Sequence, residues 1–116
     1  MQQVTQNPDQ LALFNEFIIT TVPLSKRKVG LENDIKQIAE LPVFPLEEIG
    51  TPTLIVHSPF DNDVTFSHAQ LCEQKIVNFE LFAVDACGHF LWFGNDAEAV
   101  VNKLLMFLRE HLGVNG

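Results

Sequence analysis

TLIVHSPFDND, Thr53 to Asp63, is the stretch on which the fold turns. Its first residues are continuously apolar and rich in β-branched side chains up to His57, the pattern of a short strand covered on both faces, as in a parallel sheet. The polar loop SPFDNDVTF leads into a helix predicted over Ser67–Ile76, with Ala69, Cys72 and Ile76 on one side. A second strand is predicted over Glu80–Asp85. Short connections make the two strands parallel neighbours joined by a right-handed crossover. Their C-terminal ends then share one sheet edge, where open α/β sheets bind ligands. The loop carrying Asp61 and Asp63 is thereby predicted beside the loop carrying His89.

Working outward, VDACGHFLWFG (Val84–Gly94) ends its strand-like part in Gly88-His89 and turns apolar again at Phe90, Leu91, Trp92 and Phe93. Asn95-Asp96 caps a last helix to about Leu112, with an apolar stripe of Ala97, Val100, Val101, Leu104, Leu105, Leu108 and Leu112. On the other side, LPVFPLEEIGTP is rich in proline and predicts a connecting loop without regular structure. Asn7 as N-cap and Pro8 at the first position start a helix to about Thr21, carrying Leu11, Phe14 and Ile18 with Leu13 and Phe17 beside them. Pro23 stops it. A second helix is predicted from about Leu31 to Glu40, with Leu31, Ile35 and Ile38 on one face.

A carboxylate facing a histidine across adjacent strand ends supplies two members of an acyl-transfer triad: the acid fixes the imidazole tautomer, and the imidazole takes the nucleophile's proton. HSPFDNDVTFSHA, His57 to Ala69, resembles the HG-x-x-D-x-x-V-P-x-x-H-A segment that follows the seventh strand of many α/β-hydrolases. GHF, followed by an aromatic-rich run and a terminal amphipathic helix, resembles their catalytic-histidine loop. The resemblance is specific from about Leu46 to His111, and the first 45 residues resemble part of the family's helical cap more loosely. It implies an α/β chain with a partial α/β-hydrolase-like fold. Two parallel strands, about 53–57 and 80–85, carry crossover and terminal helices and follow two cap-like helices. The segments are 1–45, cap-like, and 46–116, a C-terminal half domain. By position Asp61 matches the triad acid and His89 the triad base, with Asp63 second in rank as acid.

The departures are as informative. The family's earlier strands, oxyanion-hole loop and G-x-S-x-G elbow have no counterpart in this sequence. Its serines, Ser25, Ser58 and Ser67, lie in no glycine-flanked turn between strand and helix; Ser58 stands where the family commonly has Gly, and Thr65 where it has Pro. Cys87, next to the base, matches a small residue and reads as packing. The expectation is a truncated hydrolase-like protein that keeps the acid and base of a Ser-His-Asp triad and is inactive alone. The alternatives are the C-terminal subunit of a split serine hydrolase of esterase type, complemented by another chain, and a non-catalytic binding or scaffold module.

Bulk properties narrow the partners. At 116 residues the chain is one domain at most, and 47% hydrophobic with 19% charged residues is a globular composition. A net charge of −8, with Lys26-Arg27-Lys28 the only basic cluster, argues against a nucleic-acid partner. The polar N-terminus has no secretory layout, and no apolar run approaches the roughly 18 residues of a membrane span. Cys72 and Cys87 fit buried thiols in a reducing compartment, so a cytoplasmic protein is expected. His57 reads as structural, while His68 starts one helix and His111 ends another. No histidine pair has metal spacing, and no metal or cofactor is expected. The strand Thr53–His57 would leave one edge free, and the helices would leave apolar stripes bare. A homodimer through that strand and those faces is therefore expected, or else a missing N-terminal hydrolase half.

Overall fold

The computed structural model describes residues 6–113. In chain order they form α1 (Pro8–Thr21), a 3-10 turn (Leu24–Arg27), α2 (Lys28–Ala39), a second 3-10 turn (Leu46–Glu48), β1 (Thr53–His57), α3 (Ser67–Lys75), β2 (Phe79–Ala83) and α4 (Ala97–Leu112). The fold is mixed α/β, with β1 and β2 paired in parallel across the α3 crossover.

The register runs from Thr53 opposite Phe79 to His57 opposite Ala83. β2 stops at Ala83 rather than at the predicted Asp85 because its partner runs out at His57. The Val84 N–H makes the last ladder bond, to the His57 carbonyl at 3.0 Å. The Asp85 N–H donates instead to Asp96 Oδ2 at 2.7 Å. That bond also explains why Asp96, at the start of α4, does not cap the helix with its own side chain. Every residue of β1 is half-buried rather than covered on both faces, as its composition had predicted.

α1 begins as expected. Asn7 Oδ1 accepts from the N–H groups of Asp9 and Gln10, at 3.0 and 3.2 Å, and Pro8 fills the first helical position, where a missing N–H costs nothing. Arg27 Nη2 donates to the Thr20 carbonyl near the other end, at 2.6 Å. Leu11, Phe14 and Phe17 form its half-buried face, while Leu13 and Ile18, predicted on or beside that face, are exposed. α2 starts at Lys28, ahead of the predicted Leu31. The preceding 3-10 turn and the Lys28–Glu32 ion pair, at 3.6 Å, carry the helix through Gly30. The proline-rich connection also holds more order than predicted. Pro45 precedes a 3-10 turn in which the Glu48 N–H bonds its carbonyl at 3.0 Å, and Glu47 pairs with Lys75 of α3 at 3.6 Å.

Val84, Ala86 and Val100 make the buried cluster, with Val56, Phe82 and Leu91 packed against it. Ala69, Ile76 and Phe93 are buried as well. Lys103 of α4 ion-pairs with Glu80 of β2 and lies over the Phe82 ring. Cys72 and Cys87 are half-buried free thiols rather than fully buried ones. Val100 is the only buried member of the α4 stripe among the described residues, and Leu104, Leu105, Leu108 and Leu112 are exposed.

Two magnitudes show how open the packing is. The accessible surface is 8793 Å², against roughly 6,400 Å² for a compact monomer of this mass. The radius of gyration is 16.9 Å, against roughly 13 Å for a compact domain of this length. The sheet side of the molecule is consolidated, whereas α2 and the outer face of α1 lie largely in the open.

A sharp contrast in mutational cost is therefore expected. Phe93, 1% exposed, is surrounded by aromatic rings, and Phe93→Ala should cost about 3–5 kcal/mol in urea unfolding. Val29, 80% exposed on α2, should tolerate Val29→Ala within about 0.5 kcal/mol.

Candidate active site

Two loops meet at the C-terminal ends of β1 and β2. In the first, the Asp61 N–H donates to the Ser58 carbonyl at 3.1 Å, closing a tight turn as the chain leaves the strand. Asp61 then turns its carboxylate onto its own loop: Oδ1 accepts from the N–H groups of Asp63, at 2.9 Å, and Val64, at 3.1 Å. These bonds lock the side chain and leave Oδ2 for other partners. Ser58 is buried, and its Oγ accepts from the Phe60 N–H at 3.3 Å. His57 donates from Nδ1 to the Ser58 carbonyl at 2.9 Å, a structural role as expected.

The second loop winds tightly. Gly88 sits at φ 61°, a left-handed backbone that a glycine adopts without strain; a Cβ there would meet nothing, so conformation and not space requires it. The Cys87 N–H donates to the Phe93 carbonyl at 3.2 Å, and the Phe90 N–H returns to the Cys87 carbonyl at 3.1 Å. His89 is held out at the tip of this closed unit, its ring 4.4 Å from that of Phe90 between centroids.

The structure brings the two loops together. His89 Nδ1 lies 3.6 Å from Asp61 Oδ2 and 3.6 Å from Asp63 Oδ2. Equal distances conceal unequal environments: the Asp61 side chain is 2% exposed and that of Asp63 81%, with His89 at 47%. An exposed ion pair contributes little, so Asp61 is the built partner and Asp63 a solvent-facing one. The Val64 N–H holds the Asp61 carboxyl below the ordinary carboxylate range. Burial opposes this, and the Asp63 N–H and the His89 ring reinforce it. His68 and His111 do not join the cluster. A depression of about 160 Å³ opens beside it, lined by Val56, His57, Ser58, Asp61, Val64, His89 and Leu91.

One ligand atom from each of Asp61, Asp63 and His89 lies within 4.8 Å of the others, a grouping able to hold a cation. Histidine spacing alone gave no hint of it, because two of the three donors are carboxylates of one loop. The turn at Asp61 brings Asp63 to the same ring nitrogen.

The site lies at the C-terminal ends of two parallel strands, and comparisons with known proteins bear on the family of this fold. The chain is 33% identical over 79 residues to the uncharacterized hydrolase YcgS of Bacillus subtilis (strain 168), covering 68% of this chain and 28% of that protein. Its structure matches an alpha/beta hydrolase fold protein from Nakamurella multipartita with a TM-score of 0.73 and 28% identity, over 93% of this chain and 38% of that one. No protein-family model matches it. The chain is related to the α/β-hydrolase family and spans well under half the length of either of these relatives.

The lowered Asp61 carboxyl has a definite sign for stability. Its contribution is fully present above the ordinary carboxylate range and is lost as pH falls through the depressed folded value. The urea midpoint should therefore drop on acidification below roughly pH 4. Asp61→Asn should flatten part of that drop.

Proposed function

We propose that this chain carries the acid, Asp61, and the base, His89, of a Ser-His-Asp acyl-transfer site without its nucleophile, and that alone it does not turn over esters. The observation that supports this most directly is the buried, turn-locked Asp61 carboxylate 3.6 Å from His89 Nδ1 at the sheet's C-terminal edge. An acid at Nδ1 keeps the proton on that nitrogen and leaves Nε2 free to take one from a nucleophile. None of the chain's serines is suited to be that nucleophile. Ser58 is buried and bonded to its own loop. Ser67 Oγ pairs with the Thr65 hydroxyl at 2.8 Å, and Ser25 lies in a 3-10 turn. Loss of a triad serine costs on the order of a millionfold in turnover. The hydrolase name of the Bacillus relative supports the reaction class and specifies no substrate.

The uncovered surface supports an assembly. The excess over a compact monomer is about 2,400 Å², well beyond the roughly 800 Å² each partner gives to a standard interface. In isolation we expect a homodimer formed through β1 and the bare apolar faces of α1, α2 and α4. A second reading, a polypeptide that supplies the nucleophile-bearing part of the fold, is supported by the 38% of the Nakamurella structure that the chain accounts for.

Light scattering of the pure chain at micromolar concentration should report twice the 13.1 kDa chain mass. A monodisperse monomer would remove the homodimer. Nitrophenyl ester hydrolysis should stay at the buffer rate. Hydrolysis by the pure chain that disappears in His89→Ala and after a serine-reactive phosphonate would overturn the proposal. Hydrolysis that arises, dependent on His89, only after adding a polypeptide with a G-x-S-x-G turn would establish the split enzyme.

A further inference from the structure

Gln10 and Phe17 of α1 reach the loop that carries His89, although 84 positions of sequence separate Gln10 from its partner Gly94. The Gln10 side-chain amide makes two bonds to a single residue: Nε2 donates to the Gly94 carbonyl at 2.9 Å, and the Gly94 N–H donates to Oε1 at 3.1 Å. An amide used this way imitates the partner in a strand ladder. Both the distance and the plane of the contact are set, because donor and acceptor lie side by side. Gly94 is buried and has φ 121°, a backbone that only glycine adopts readily, so the paired amide holds an unusual corner of the loop.

Above that clamp the rings continue the contact. Phe14 meets Phe93 edge-on at 5.4 Å, and Phe17 meets Phe90 at 5.3 Å and Phe93 at 6.1 Å. Phe90 is the ring against which His89 lies. His89 itself has no short bond to either acid; both carboxylates stand at 3.6 Å and its side chain is about half exposed. The ring is therefore placed less by its acids than by the loop and by Phe90, and these in turn lean on α1.

We infer that α1 is a positioning element for the base: Gln10, through Gly94, and Phe17, through Phe90, set where the His89 imidazole stands relative to Asp61. This rests on His89 being the base proposed above. Gln10 and Phe17 act through the loop, by way of Gly94 and Phe90.

The test reads the ring itself and needs no turnover. The His89 Cε1–H order parameter is measured by NMR relaxation in the full chain, with exposed His68 as the internal reference. Gln10→Ala should lower the His89 value by roughly a third, the step from a rigid to a flexible group, and leave His68 unchanged. Gln10→Glu, which accepts from the Gly94 N–H but cannot donate to its carbonyl, should fall between. Phe17→Leu keeps apolar volume and should also loosen His89. Ile19→Ala, on the exposed side of the same helix, should not. If Gln10→Ala and Phe17→Leu lower the melting temperature but leave His89 as ordered as before, α1 is merely structural and the inference is overturned. Should Gln10→Ala fail to fold, Phe17→Leu and Gln10→Glu decide the matter by the same readout. His89-dependent hydrolysis by a complemented complex is scored separately. A loosened ring beside an inactive complex would keep the positioning role and remove the base, and an unaffected ring beside an active complex would do the reverse.

Discussion

The pairing of His57 with Ala83 at the end of a parallel ladder is the contact on which the rest depends. Because β1 and β2 stop at the same level and on the same side, the chain leaves both strands at one edge. The Asp61 turn and the His89 loop must then start as neighbours. An antiparallel pair would have sent one loop to the far edge. A one-residue slip would have turned every strand side chain to the opposite face. The chemistry inherits its placement from the backbone, before any side-chain bond is formed. The local bonds then refine it: two N–H groups aim the Asp61 carboxylate, and a glycine in a left-handed conformation lets the chain turn sharply enough to present His89.

How much of this was legible in the sequence follows from which interactions are local. β1 matched its predicted bounds, because an apolar run ending in a polar loop is marked at both ends. α1 was legible from Asn7 and Pro8, since a cap acts on the next few residues and needs no tertiary partner. The end of β2 was not, because it is decided by where another strand stops. Asp96 looked like an ordinary helix cap, yet its carboxylate is taken by the Asp85 N–H across the loop. The approach of Asp61 to His89 followed from topology and the family resemblance together. Asp63 at the same distance did not, since it depends on how tightly the Asp61 turn curls. The two hydrogen bonds between Gln10 and Gly94 had no sequence signal at all, for a glutamine on a helix face is ordinarily solvated.

Openness explains several of the differences together. β1 reads as a strand buried on both faces and is only half-buried. The α4 stripe reads as a core face and buries only Val100 among the described residues. Ile18 and Leu13 read with the inner side of α1 and are exposed. In each case the sequence carries more apolar surface than the fold in hand covers. These are one discrepancy rather than three. Hydrophobic patterning records how much apolar surface a sequence is able to bury, and in this chain part of that surface stays open.

Between the Asp61 carboxylate and the His89 ring the distance is 3.6 Å. An effective acid–base contact is roughly 2.6–3.2 Å, and such contacts commonly tighten only when the site is assembled and water is excluded. Here the Asp61 side of the pair is already buried and bonded, whereas the His89 side is about half open to solvent and shared with an exposed second carboxylate. In water of high dielectric that second carboxylate barely competes. Under a covering surface every charge near the ring would count for several times more. A partner that closes over His89 would therefore do more than add contacts. It would desolvate the imidazole beside an acid that is already fixed, and it would force Asp63 either to stay in solvent or to find its own partner. The Asp61 side of the pair is fixed within this chain, and the His89 side stays open to solvent.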